Sequence, residues 1–537
     1  MTDTKLTLKF HGAAQTVTGS CMEFRLGDRA VLVDCGMFQG SRTLEHLNVE
    51  PFAFDASSID AVILTHAHID HSGMVPKLVN QGFKGEIWCT GETVDLLEHM
   101  LADSGRIQEF EAERRNRRRD RAGDAPFAPA YTADDAMRAW ERCRAVRQEE
   151  WFEPAPGFRA RLWNAGHILG AASVELEAGG TRVICSGDLG PDNKAFYHDP
   201  HGPAGFDHVV CEATYGNRER ERVTLDERRQ VLEAEVLAAK ARGGNLVIPI
   251  FALERTQELL LDLGALIDSG RIPHTHVFVD SPLANRVTGV FERYAHGLED
   301  TGGRNIFDHP AFNFVNDVAE SIRLNSISGA VIMAASGMCE AGRIRHHLIH
   351  NLHRKDATVL FVGFQAQGSL GRVILEGAEN VRISGQDVRV RAQIRQIDSY
   401  SAHADQSELV EWIGERMPIA GSLFLDHGET EAVEALRRVL QREIPDLEVR
   451  LPHIGERFEL PSGRHAKRIE TGRADLAHAT GRDWQNAYAD LSTTLKARLA
   501  RMQDDREREK AMAKMRAVLD SYDEAKSRRR AASRPKH

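Results

Sequence analysis

No apolar run in the 537-residue chain approaches the roughly 20 residues that a membrane span needs, and none resembles a signal-peptide core. A membrane-spanning protein is therefore not expected. Neither is a targeting segment, because residues 1–10 (MTDTKLTLKF) already read as an alternating strand. The seven cysteines, Cys21, Cys35, Cys89, Cys143, Cys185, Cys211 and Cys339, contain no CxxC pair. An odd, unpatterned set argues against a disulfide framework and for a reducing cytoplasm. Internal repeats are absent too. An excess of positive charge is also missing: the formal net charge is −10, which speaks against a nucleic-acid coat protein. It does not exclude a nuclease, since bound cations offset carboxylates and local basic patches outweigh totals. The 42% hydrophobic content and ordinary Gly and Pro counts describe a globular protein, and the length calls for two or three domains.

Along the chain, residues 1–100 read as strands with short turns followed by helices. The run Ala61–Leu64 is a buried strand. Segment 92–150 reads as helical and highly charged, with six arginines between Arg114 and Arg121. Such a run is either a solvated face or a phosphate-contacting arm. Segments 159–176, 181–188 and 207–212 read as strands, and from about 215 to 380 strands alternate with helices, the pattern of a parallel sheet. Strands return over 388–397 and 422–425, with helices near 405–416 and 429–442. Segment 480–530 reads as a helical tail. Its stripe of Trp484, Tyr488, Leu491, Leu495, Leu499 and Met502 would pack on the body or on a second subunit, making a homodimer one expectation, and a basic tip follows.

The strongest chemical signal is His66-Ala67-His68-Ile69-Asp70-His71, directly after a buried strand. Four nitrogen and oxygen donors within six residues suit zinc, whose catalytic sites keep one position open. Three further residues share a geometry of strand, then polar residue, then glycine: His167 in NAGHILG, Asp188 in SGDLG and His427 in LDHGE. Each alone is as readily structural. Together they are how a sheet gathers ligands at one edge.

These motifs, with the Asp34-Cys35-Gly36 turn, resemble the metallo-β-lactamase superfamily. Glu212 in CEATYG, His403 in SAHAD and His427 in HGE, together with PIFALERTQELL, DSPLA and ASGM, resemble its β-CASP branch of nucleic-acid-processing hydrolases. The resemblance covers roughly residues 5–460. It implies an α/β fold: a metallo-β-lactamase αββα sandwich with an inserted β-CASP α/β domain built on a parallel sheet. The expected layout is residues 1–212 and 383–465 for the sandwich, 213–382 for the insert, and 466–537 for a helical extension with a basic tip. The resemblance also implies two Zn²⁺ per chain. His66, His68, His167 and Asp188 would hold the first, and Asp70, His71, His427 and the bridging Asp188 the second. Asp34 would orient a ligand histidine. Asp70, His403 and Glu212 are the catalytic candidates, with His403 as the acid that protonates the leaving oxygen and Glu212 as its partner.

Single-stranded RNA is the implied substrate, cut to 5′-phosphate and 3′-hydroxyl ends. The insert is large enough to close a cleft over a polymer, and the SYSAHADQ sequence is closer to endonucleolytic than to exonucleolytic relatives. Phosphate contacts are expected from Arg255, from Ser336 and Gly337 at a glycine turn before a helix start, and from Gln367 and Gly368. Each is equally explained by strand-to-helix turn chemistry. One departure from the commoner family pattern is Glu254, where many relatives carry glycine. Competing functions are a small-molecule ester or thioester hydrolase of the same fold, which leaves the insert and His403 unexplained, and a non-catalytic RNA-binding paralogue, at odds with the full set of ligand positions.

Overall fold

Three large sheets and a two-stranded hairpin, Asn380–Ile383 with Gln386–Arg389, organise the described residues, and the first two sheets face each other. In the computed structural model, the described residues are 5–40, 42–119, 126–220, 223–363, 365, 369–476, 495, 498–499, 501–502 and 504–532. The first sheet runs Lys467–Glu470, Arg457–Glu459, Leu6–Phe10, Met22–Leu26, Arg29–Val33, Ala61–Ile63, Glu86–Thr90 and Cys143–Val146 in spatial order. The second runs Glu448–Arg450, Ile419–Asp426, Phe206–Glu212, Thr181–Cys185, Ala172–Ala178, Phe158–Asn164 and Phe152–Ala155. Alternation decides which side chains enter the sandwich. Val183 and Cys185 join Leu8, Phe24, Val31 and Ile63 between the sheets, whereas Ile184 turns outward to the helices. Phe10 and Phe424 meet across this core with ring centroids 5.6 Å apart.

Helices cover both outer faces, completing the four layers. Val75–Asn80, Gly91–Arg119 and Ala133–Trp140 lie on the first sheet, and Gln406–Glu415 and Thr430–Glu443 on the second. Local sequence sets their starts: Thr132 with Asp135, and Asp405 with Glu408, form reciprocal capping boxes. One side of each sheet is parallel out to its edge: Arg29–Val33 through Cys143–Val146 in the first, and Thr181–Cys185 through Glu448–Arg450 in the second. Parallel strands end at a common edge, and ligands of open α/β sheets collect beyond such carboxyl ends.

The third sheet belongs to the inserted lobe. Its order is Phe312–Phe314, Val277–Val279, Val331–Ala334, Leu246–Pro249, Thr358–Val362 and Gln393–Ile397, every pair parallel. Leu246, Ile248 and Ile250 face one apolar cluster and Val247 the other, so both faces are covered, as an all-parallel sheet requires. The edge strand Gln393–Ile397 lies beyond residue 382, where the sequence reading ends the insert. The strand itself is expected within 388–397, and its pairing with Thr358–Val362 assigns it to the lobe. Likewise Lys467–Glu470, expected in the tail, pairs with Arg457–Glu459 in the first sheet.

Segment 92–150 is less uniformly helical than expected, because Cys143–Val146 is a strand. Of the arginine run, Arg114 to Arg119 close the helix Gly91–Arg119, and Arg121 lies outside the described residues. Arg115 and Arg117 pair with Glu111 and Glu113 one turn back, as residues on a solvated face do. Residues 484–537 form a separate unit containing the helix Asp505–Ala532. Trp484, Tyr488 and Leu491 of the apolar stripe lie outside the described residues, while Leu495, Leu499 and Met502 are half-buried. No helix among the described residues is long and apolar enough to cross a membrane.

Candidate metal centre

At the common strand edge, six histidines gather around one buried carboxylate. His66 and His68 follow Ala61–Ile63, Asp188 follows Thr181–Cys185, and His427 follows Ile419–Asp426. His167 lies on the loop joining Phe158–Asn164 to Ala172–Ala178, with Gly166 and Gly170 both at positive φ. Two glycines are sterically required. A Cβ on Gly36 would fall 1.6 Å from the carbonyl oxygen of Asp70, and one on Gly190 would fall 1.8 Å from that of Gly166. The turns bearing Asp34 and Asp188 thus pack backbone to backbone against the histidine loops.

The donors fall into two main groups, overlapped by a third set of Asp188, Glu212 and His427. His66, His68, His167 and Asp188 place one ligand atom each within 4.8 Å of one another, as do Asp70, His71 and His427. In the first, His68 Nδ1 lies 3.1 Å from His66 Nε2 and 3.2 Å from His167 Nε2, and Asp188 Oδ2 lies 3.7 and 3.6 Å from the same two Nε2 atoms. In the second, the Nε2 atoms of His71 and His427 are 3.1 Å apart, and His427 Nε2 is 3.9 Å from Asp70 Oδ2. Asp188 joins the groups, its Oδ1 lying 3.2 Å from His71 Nε2 and 3.4 Å from His427 Nδ1. Burial pushes the pKa of His66 and His167 well below the ordinary value, and that of His68 down to about 4. Neutral imidazoles with converging lone pairs are the form in which histidine binds a cation. Burial would raise Asp188, but His427 and His71 outweigh it and hold the carboxylate ionised. The donor set fits divalent metal ions with nitrogen and oxygen preference.

The outer nitrogens are held by neighbours that fix which ring nitrogen faces inward. His71 Nδ1 is 2.7 Å from Asp34 Oδ2, and His167 Nδ1 is 2.7 Å from the carbonyl oxygen of Ala402. Asp34 is fully buried at φ +63 and accepts hydrogen bonds from Thr65 N at 2.8 Å and Ser20 Oγ at 3.0 Å. Such partners orient ligand histidines. Asp34→Ala is accordingly expected to weaken divalent-metal binding by about 10–100-fold without unfolding the protein, measured by chelator competition. Unchanged affinity would remove the orienting role.

His403 stands beside this cluster. Its Nδ1 lies 3.2 Å from Glu212 Oε2, and its Nε2 is 3.9 Å from Asp188 Oδ2. Burial would lower its pKa, yet Glu212 and Asp188 outweigh burial and the net shift is upward. His403 does not cap the following helix, a role that Asp405 takes. Glu212 is itself fixed by the backbone N–H groups of Leu189 and Thr214. Sequence reasoning missed Thr65, Thr214 and Arg220. Thr65 directly precedes His66 and reaches its Nδ1 at 3.0 Å, Thr214 reaches His427 Nδ1 at 3.1 Å, and Arg220 donates to the carbonyl of His403 at 2.7 Å. The first two lie inside or beside the quoted motifs. Nothing in the sequence marks Arg220.

The expected phosphate contacts are placed differently from one another. Arg255 is only 8% exposed and donates to Glu258 at 2.8 Å, so its guanidinium is engaged inside the lobe. Ser336 and Gly337 follow Val331–Ala334 as expected, but the next helix starts only at Ile344, so they form a turn and not a helix start. Phe251 covers Gly337 so closely that a Cβ there would lie 2.6 Å from the ring. Gln367 and Gly368 lie outside the described residues.

Comparison with known proteins agrees with this architecture. Residues 15–223 match the metallo-beta-lactamase superfamily, residues 256–374 the Beta-Casp domain, and residues 387–452 the Zn-dependent metallo-hydrolase RNA specificity domain. The chain is 36% identical over 458 residues to Ribonuclease TTHA0252 of Thermus thermophilus, covering 83% of this chain and 98% of that protein. It is 28% identical over 448 residues to Cleavage and polyadenylation specificity factor 73 of Drosophila melanogaster, covering 82% of this chain and 62% of that protein. Among solved structures, a protein of unknown function from Enterococcus faecalis superposes with a TM-score of 0.50 at 15% identity, covering 85% of this chain and all of that one, a likeness of fold. The fold and the histidine-rich centre define a metallo-hydrolase. The chain belongs to the β-CASP family of the metallo-β-lactamase superfamily.

Proposed function

We propose that the protein is a zinc-dependent endoribonuclease that hydrolyses phosphodiester bonds of single-stranded RNA. One observation carries the reading: a buried carboxylate, Asp188, is shared by two groups of metal donors and lies beside a histidine–glutamate pair. His66, His68, His167 and Asp188 would hold one zinc, and Asp70, His71, His427 and Asp188 the other. When bound, such a pair supplies an activated water and neutralises charge at phosphorus. The chain's own groups do the rest. Asp34 and the Ala402 carbonyl hold His71 and His167 with Nε2 inward. Glu212 holds a proton on His403 Nδ1 and favours the imidazolium, leaving Nε2 to protonate the departing 3′-oxygen. The ends formed are a 5′-phosphate and a 3′-hydroxyl, because the 2′-hydroxyl takes no part.

The match of residues 387–452 to an RNA specificity domain and the ribonuclease among the relatives support RNA as substrate. A cytoplasmic setting fits seven free cysteines, six of them buried. A homodimer through the residues after 484 belongs to the same proposal. The test is incubation with a 5′-labelled single-stranded RNA and its DNA copy, with and without chelator. Internal RNA fragments with 5′-phosphate ends, lost on chelation, are expected. Stepwise mononucleotide release from one end would contradict the endonucleolytic assignment, and an intact RNA the ribonuclease reading itself.

A further inference from the structure

A buried triad joins the inserted lobe to the loop that carries His167. Its members are Lys194 on the loop after Asp188, Tyr197 three residues on, and Glu254 at the start of the helix Arg255–Asp268. The Lys194 Nζ lies 2.7 Å from Glu254 Oε1, and the Tyr197 hydroxyl donates to Glu254 Oε2 at 2.6 Å. Both ion-pair side chains are almost inaccessible, at 2% and 3%. The same lysine donates to the backbone carbonyl of His167. The triad therefore grips the GHILG loop at the His167 carbonyl, with Glu254 holding both Lys194 and Tyr197.

The backbone at Glu254 makes this placement costly. It has φ +76 and ψ −66, and Arg255 N donates to Leu253 O at 3.0 Å across it. That is a γ-turn of the rare, strained hand, which glycine would adopt without penalty. Strained conformations of larger residues persist where surrounding contacts over-determine them. Here Lys194 and Tyr197 provide those contacts. A plain strand-to-helix turn would be served better by glycine, so the carboxylate accounts for the residue.

We propose that Glu254, through Lys194 and Tyr197, is a positioning residue for His167: it transmits the placement of the inserted lobe to the first metal site. His167 is held on its other side by the Ala402 carbonyl, from the loop that carries His403. The Tyr400 hydroxyl on that loop donates at 2.8 Å to Asp262, which lies two turns along the same helix as Glu254. One helix thus braces both a metal ligand and the acid.

The inference rests on His167 being a zinc ligand, and its test keeps the two ideas apart. Zinc retention against a graded chelator is measured without RNA on Lys194→Met, Glu254→Gln and the double variant, alongside melting curves and separate kcat and KM values. Each single variant is expected to hold one of two zinc equivalents about 10–100-fold more weakly and to lose kcat with little change in KM. The double variant should be no worse than either single, because the residues act as one unit. It also buries no unpaired charge, so it carries the test if a single variant fails to fold. Wild-type zinc retention in a cooperatively melting double variant, whatever its melting temperature, would overturn the proposal. A wild-type protein that binds no zinc would overturn the metal assignment first.

Discussion

Asp188→Asn is expected to release both metal ions and bring RNA cleavage below detection while the far-UV circular dichroism stays that of the wild type. The carboxylate is nearly isosteric with the amide, so packing survives. What is lost is the negative charge that His66, His71, His167, His403 and His427 share, at distances of 3.2 to 3.9 Å. Loss of a neighbour that merely orients a ligand costs about 10–100-fold in metal affinity, and a shared ligand should cost more than that at each site. Total zinc per chain, measured after dialysis, checks the result. A variant that keeps one full equivalent would show that Asp188 does not bridge.

His403→Ala is expected to separate binding from chemistry. The imidazole is held by Glu212 and by nothing that a cation would require, since neither metal-donor group includes it. The variant should keep two zinc ions and wild-type RNA affinity, yet cleave roughly 10²–10⁴-fold more slowly, the span that general acid catalysis contributes. Single-turnover cleavage under saturating protein reads the step directly. Unchanged cleavage would remove the acid assignment; loss of zinc would make His403 a ligand instead.

Much of the site is legible in the sequence because each candidate donor follows an apolar strand and precedes or lies near a glycine. His66 to His71, His167, Asp188 and His427 stand out on that pattern, and the structure brings them to one edge. Asp34 is legible for the same reason, as the turn whose Gly36 leaves room for the Asp70 carbonyl. What escapes is contact between segments remote in sequence. Gln393–Ile397 reads as a strand, but its place in the inserted lobe emerges only when Thr358–Val362 pairs with it. Arg255 reads equally as a phosphate contact or as turn chemistry, and only the fold sets the remote Tyr400 ring over it while it pairs with Glu258. Lys194 looks like an ordinary loop lysine, and only the fold brings Glu254 to it. The sequence marks Glu254 solely as a departure from glycine, and the strained turn supplies the physical reason that the departure matters.

The central claim is that RNA cleavage depends on two metal ions in this histidine–aspartate cluster. Zinc titrated into chelator-stripped protein, with bound metal and cleavage of a labelled RNA followed in the same samples, tests it most directly. The account predicts two equivalents bound per chain and cleavage that rises with occupancy of the second. Full cleavage by the stripped protein, or two equivalents bound with the RNA left intact, would contradict it.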